Sequence, residues 1–143
     1  MRLRPRLRLC SAAEPSGSDY TERFARNSMA TFSVYFMKSG FFVDGARGYA
    51  WLKQRNLVPD PRDLTKTHVF LQLIEAANPE AVYFRMQGGS WDPSGEAREL
   101  IASKGLRHTS MSVGDIVIDH DSRVVYLLDR MGFRFLGHVA PGT

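Results

Sequence analysis

Between Ala30 and Met37 the chain alternates Phe32, Val34 and Phe36 with Thr31, Ser33 and Tyr35, the period of two expected of a strand buried on one face. After a break at Ser39-Gly40, Ala46 to Arg55 predicts a short helix carrying Tyr49, Trp51 and Leu52, ended by the turn and proline chemistry of Asn56-Leu-Val-Pro-Asp-Pro61. Thr67 to Glu75 is apolar on both faces (Val69, Phe70, Leu71, Leu73, Ile74), as expected of an inner strand. Asn78-Pro79 reads as an N-cap followed by proline at the first helical position, with Glu80 in the favourable first turn, so Pro79 to Gln87 is predicted helical. Gly88-Gly89 stops that helix. Trp91-Asp92-Pro93-Ser94 then opens another, with Ser94 as the cap, running through Glu96, Arg98, Leu100 and Ile101 to Gly105.

The last third predicts a three-stranded meander: Val113 to Ile118, a polar turn at Asp119-His120-Asp121-Ser122, Val124 to Asp129, then Phe133 to Val139. The short connections imply antiparallel pairing. Val124 to Leu128 is apolar on both faces, which places that strand inside the sheet. The expected fold class is therefore α+β, a small antiparallel or mixed sheet of about five strands with two to three helices packed on one face. No internal repeat is present.

With 143 residues, 43% hydrophobic and 24% charged, the composition is that of one globular domain, and no apolar run approaches the roughly 20 residues of a spanning helix. The net charge of +4 and the pI near 9.5 suggest nucleic acid until their location is considered. Residues 1–28 carry six arginines against three acids, leaving +1 from Met29 onward. The alternating arginine-leucine opening and Ser11-Ala-Ala-Glu-Pro-Ser-Gly-Ser18 are not core elements; the continuous apolar stretch of a secretory signal is missing, and Glu14, Asp19 and Glu22 argue against a mitochondrial presequence. The expected organisation is a flexible basic tail or misassigned start over 1–28, a single domain over 29–139 and a short tail over 140–143. The lone cysteine, Cys10, excludes an intramolecular disulfide and suits a reducing cytoplasm.

Two stretches concentrate candidate chemistry. Met86 to Arg98 sets Gln87, Trp91, Glu96 and Arg98 around a glycine-rich loop, and Trp and Arg are the side chains that most often anchor interfaces. The competing reading is a core staple with capping charges. Arg107 to Asp115 offers His108, Ser110, Ser112 and Asp115 to a phosphate or other polar ligand, or else to the side-chain-to-backbone bonds of an ordinary turn. There is no Gly-x-Ser-x-Gly elbow, no phosphate-binding Gly-Lys-Ser/Thr loop and no His-Glu-x-x-His pair. Asp119-His120-Asp121 has metal-ligating types but the spacing of a solvated hairpin turn. No catalytic residue, metal or cofactor is assigned.

Ser110-Met-Ser-Val-Gly-Asp-Ile-Val-Ile118, with Val125-Tyr126 and Gly132-Phe133, resembles the C-terminal signature of YodL-like domains, a Ser-x-Ser-x-Gly/Ser-Asp-Val/Ile turn leading into strands. Met86-Gln87-Gly88, Trp91 and Gly95-Glu-Ala-Arg98 also resemble small uncharacterised proteins of bacterial conjugative plasmids. The likeness runs from about Ala30 to Leu136, although Leu127-Leu128 is more aliphatic than that family's pattern. It implies a cytoplasmic accessory protein of a mobile element that binds a host or element-encoded protein, and it supplies no catalytic residue. The leading expectation is a non-catalytic interaction module without membrane association. The alternative is nucleic-acid binding through the basic tail with Arg98, Lys104 and Arg107, and a weaker one is a hydrolase or nuclease using His108 and Asp115 as a base and orienting pair.

Overall fold

A computed structural model of the chain describes residues 29–139. The tails expected over 1–28 and 140–143 lie outside the described residues. Five strands, β1 (Ala30–Met37), β2 (His68–Ala76), β3 (Ile116–Asp119), β4 (Val124–Asp129) and β5 (Gly132–His138), form one antiparallel sheet in the order β2-β1-β3-β4-β5. Five helices surround it: α1 (Ser39–Gly45), α2 (Tyr49–Gln54), α3 (Pro79–Arg85), α4 (Gly88–Trp91) and α5 (Arg98–Ser103). The α+β class and the C-terminal meander agree with the sequence expectation. Five helices take the place of two or three.

Helices on one face was the wrong expectation, because the sheet buries both. Phe32, Val34 and Phe36 of β1, with Val117 and Leu128, pack against Val82, Met86, Ile101 and Met111 from the α3–α5 side. Ile116, Ile118, Val125 and Leu127 point the other way, onto Leu52, Leu64, Phe41, Tyr49 and Trp51. β1 is accordingly an inner strand with two buried faces. β2 is not inner but an edge strand, paired only with β1, and its Phe70 and Leu73 are exposed. No helix among the described residues is long and apolar enough to cross a membrane.

The helix expected over Ala46 to Arg55 is instead two. α1 starts at Ser39, where a break was expected, because Phe41 packs beside His68 and Phe42 beside His108. α2 starts at Tyr49 after Gly48, whose φ of 99° ends the preceding turn. The first amide of α2 is capped from across the fold by Asp129 of β4, Tyr49 N donating to Oδ1 at 3.1 Å. α3 has the expected cap, Asn78 Oδ1 accepting from Ala81 N at 2.7 Å with Pro79 at the first position. α5 begins at Arg98, later than expected, and its first turn is held by Asp92 Oδ1, which accepts from Ala97 N, and not by Ser94.

Candidate functional site

The two candidate stretches meet. Trp91 Nε1 donates to the Thr109 carbonyl at 2.6 Å, Gly88 N to Ser110 Oγ at 2.7 Å, and Gln87 Nε2 to the carbonyls of Tyr83 and Met111 at 3.0 and 3.2 Å. Met111 N returns a bond to the Met86 carbonyl. Ser112 Oγ donates to the Ser110 carbonyl, and Glu96 accepts from Ser94 N. The polar atoms of Gln87, Trp91 and Ser110 thus join α3 and α4 to the turn before β3, and Ser112 Oγ bonds within that turn. Arg98 lays its guanidinium back over Gly95, where an added Cβ would lie 2.9 Å from Nη2. Lys104 reaches toward Phe70, 5.9 Å from the ring centre, and Arg107 borders the cavity beside His108. The three cations of the expected nucleic-acid site therefore serve three different surroundings.

Asp115 is the centre of this construction. Its fully buried carboxylate accepts from Met37 N through Oδ1 and from Ser112 N through Oδ2, both at 2.8 Å, and meets His108 Nε2 at 3.1 Å. The carboxylate ties the end of β1, the turn and the imidazole to one point. Burial raises the Asp115 pKa, against bonds from His108, Ser112 and Met37 that favour the ionised form. The preceding Gly114 has φ 103°, and a Cβ there would lie 2.7 Å from the Gly45 carbonyl oxygen, so this position requires glycine. The Gly114 carbonyl accepts from Nε2 of buried His68 at 2.7 Å, and His68 Nδ1 lies 2.7 Å from Thr67 Oγ1. That pairing fixes the tautomer with the proton on Nε2.

His108 and Asp115 thus form the hydrogen-bonded pair that a base and orienting acid would need. The imidazole stacks on Phe36 at 4.6 Å, meets the Phe42 ring edge, and borders a cavity of about 360 Å³ with Ser39, Val43 and Arg107. Among the described residues no hydroxyl or thiol is hydrogen-bonded to His108, so base and orienter stand without a seated nucleophile.

Sequence reasoning missed a second constellation on the opposite sheet face. Thr31 accepts from His120 N, which carries the β1–β3 ladder past Asp119 and brings His120 Nε2 into hydrogen-bond contact with Ser33 Oγ, a diagonal neighbour on the same face. The pair borders a hollow of about 290 Å³ with Tyr35, Asp119 and Arg123. Asp119 Oδ1 accepts from the amides of Asp121 and Ser122, the bonds of a closed turn. Among the described residues no group of three or more His, Cys, Asp or Glu side chains is placed to hold a metal ion.

A third surface lies along β5, the other sheet edge. The outward amides and carbonyls of Phe133 to Leu136 have no protein partner among the described residues. Beside them α3 and the β4–β5 hairpin enclose a groove of about 300 Å³ lined by Tyr83, Phe84, Met111, Leu128 and Phe133. Phe133 continues edge-on to Tyr126, which is paired across the ladder with Phe135. Phe84 and Phe135 are 67% and 57% exposed, an unusual run of aromatic area at a surface. No family model, curated protein or solved structure matches this chain.

Proposed function

We propose that the chain is a non-catalytic interaction module that binds an extended segment of a partner protein along β5. The carrying observation is the β5 edge, open among the described residues, beside the aromatic groove. An incoming strand completes the backbone pairing, and alternate apolar side chains enter between Phe84 and Phe133. β5 has no proline, and its only formally charged side chain is Arg134, so nothing in its sequence blocks pairing. The setting as an accessory protein of a bacterial mobile element, with a host or element-encoded partner in the cytoplasm, rests on the resemblance to YodL-like domains. Trp91, Gln87, Ser110 and Ser112 support the surface from within.

The test is cross-linking of the full chain in host lysate, followed by mapping of the cross-linked peptides. Links from the captured protein should fall on β5 and α3. Phe84→Lys with Phe135→Lys should reduce its capture at least about 30-fold, the loss of roughly 2 kcal/mol or more expected of interface anchors. Both side chains are exposed, so thermal unfolding should hardly move. Capture that survives the pair, or links that join β5 of one copy to β5 of another, would overturn the reading.

A further inference from the structure

The sheet face opposite the aromatic groove ends in a cleft where arginines lie on aromatic rings. Arg47 and Arg55 flank α2 and hold their Cζ atoms 4.2 and 3.2 Å from the Trp51 ring centre, while Arg134 of β5 lies 4.2 Å from that of Tyr49. Arg130, in the β4–β5 turn, closes the rim of a hollow of about 430 Å³. Arg134 pairs with Asp129 at 3.4 Å, and the other oxygen of that carboxylate accepts from the amides of Tyr49 and Arg130. Among the described residues Arg47, Arg55 and Arg130 have no carboxylate within ion-pair distance.

A guanidinium resting on a ring is held by its face, while its five N–H donors radiate in the plane of the group. Stacking therefore fixes the fork without consuming the donors that grip an oxyanion. The charge is local: from Met29 onward the chain is only +1, yet this cleft gathers Arg47, Arg130 and Arg134 around the Asp129 carboxylate, already engaged by three donors, while Arg55 stacks on Trp51 beside it and the Asp44 carboxylate accepts from Trp51 Nε1 at 3.1 Å.

We infer that this cleft binds the phosphodiester backbone of single-stranded nucleic acid. Bases stack on the guanidinium planes that the rings hold in place, a contact that carboxylate side chains of an acidic polypeptide cannot use. Sequence readout of a duplex through the major groove is disfavoured by size, since the longest helices among the described residues, α1 and α3, have seven residues. The site is separate from the β5 groove, and from the Arg98, Lys104 and Arg107 positions suggested by sequence.

The experiment is an anisotropy titration of the full chain with a labelled oligouridylate over a range of salt. Arg47→Glu with Arg130→Glu should weaken binding at least about tenfold and reduce the log-log salt slope by about 1.4, roughly 0.7 for each phosphate that is no longer neutralised. Arg98→Glu with Arg107→Glu, an equal change of net charge, should stay within about twofold of the parent. Should charge reversal lower the unfolding temperature, Arg47→Gln with Arg130→Gln makes the same comparison, with a smaller expected loss. Equal losses in the cleft and control pairs, or no loss in the cleft pair, would overturn the site and assign binding to residues elsewhere. Displacement of the RNA by polyglutamate at matched charge would overturn the assignment to nucleic acid.

Discussion

Asp115→Ala is expected to cost about 3–5 kcal/mol of folding stability, the range found when a buried charged partner is removed and its neighbours stay behind. The missing carboxylate leaves Met37 N, Ser112 N and His108 Nε2 facing an apolar void, and each buried donor without an acceptor carries its own penalty of about 1–3 kcal/mol. These penalties do not add fully, because the turn can open and admit water. Asp115→Asn should fall between parent and alanine: it keeps one acceptor oxygen and turns an amide toward a donor that needs one. Urea unfolding measures both. In a double-mutant cycle with His108→Ala, a coupling of about 1 kcal/mol or more is expected. A loss below about 1 kcal/mol for the alanine variant would mean that Asp115 does not organise the turn, and would return the His108–Asp115 pair to consideration as a chemical dyad.

This hub explains why Ser110 to Asp115 stands out in the sequence. Its residue types are those of a ligand loop and equally those of a turn that must satisfy buried amides, and chemistry alone does not distinguish them. Direction does: Ser110 Oγ faces Gly88 N and the Asp115 carboxylate faces Met37 N, both inward. Separations of 22 and 78 residues put those partners outside any local pattern.

Local signals were legible where local physics decides. Asn78-Pro79 caps α3 as its residue types imply, and the period of two in β1 and the short polar turns of the meander gave strands with boundaries within a few residues. Sheet order was not legible for β2, because Phe70 and Leu73 are apolar whether or not another strand covers them, and only topology leaves them at an edge. α1 was missed because Ser39-Gly40 looks like a break, whereas Phe41 and Phe42 hold the helix by contacts to His68 and His108. The surfaces hidden from the sequence have the same origin. Ser33 meets His120 through strand register, and Arg47 meets Arg130 and Arg134 because Asp129 caps α2 from β4. A net charge near neutrality conceals that cluster.

Acid should destabilise the fold through His68, with a loss that begins below about pH 6.5 and approaches about 3 kcal/mol by pH 4. Burial pushes the His68 pKa down to about 4; the nearby His108 adds to the shift and the Gly114 carbonyl opposes it. The sign follows from proton counting. As pH falls below about 6.5 the unfolded chain protonates its imidazole while the folded chain does not, so the unfolded state gains until the folded group also titrates near 4. Asp115 works in the opposite sense: with its folded pKa raised, its contribution is greatest at low pH and is lost as pH rises through the folded value. The His68 effect must therefore be read by difference. His68→Gln keeps an amide donor for the Gly114 carbonyl and removes the titration, so urea unfolding across pH 7 to 4 should show the parent losing about 3 kcal/mol more than the variant. Parallel pH profiles would show that His68 protonates as readily folded as unfolded, which a side chain 1% exposed and bonded on both ring nitrogens should not do.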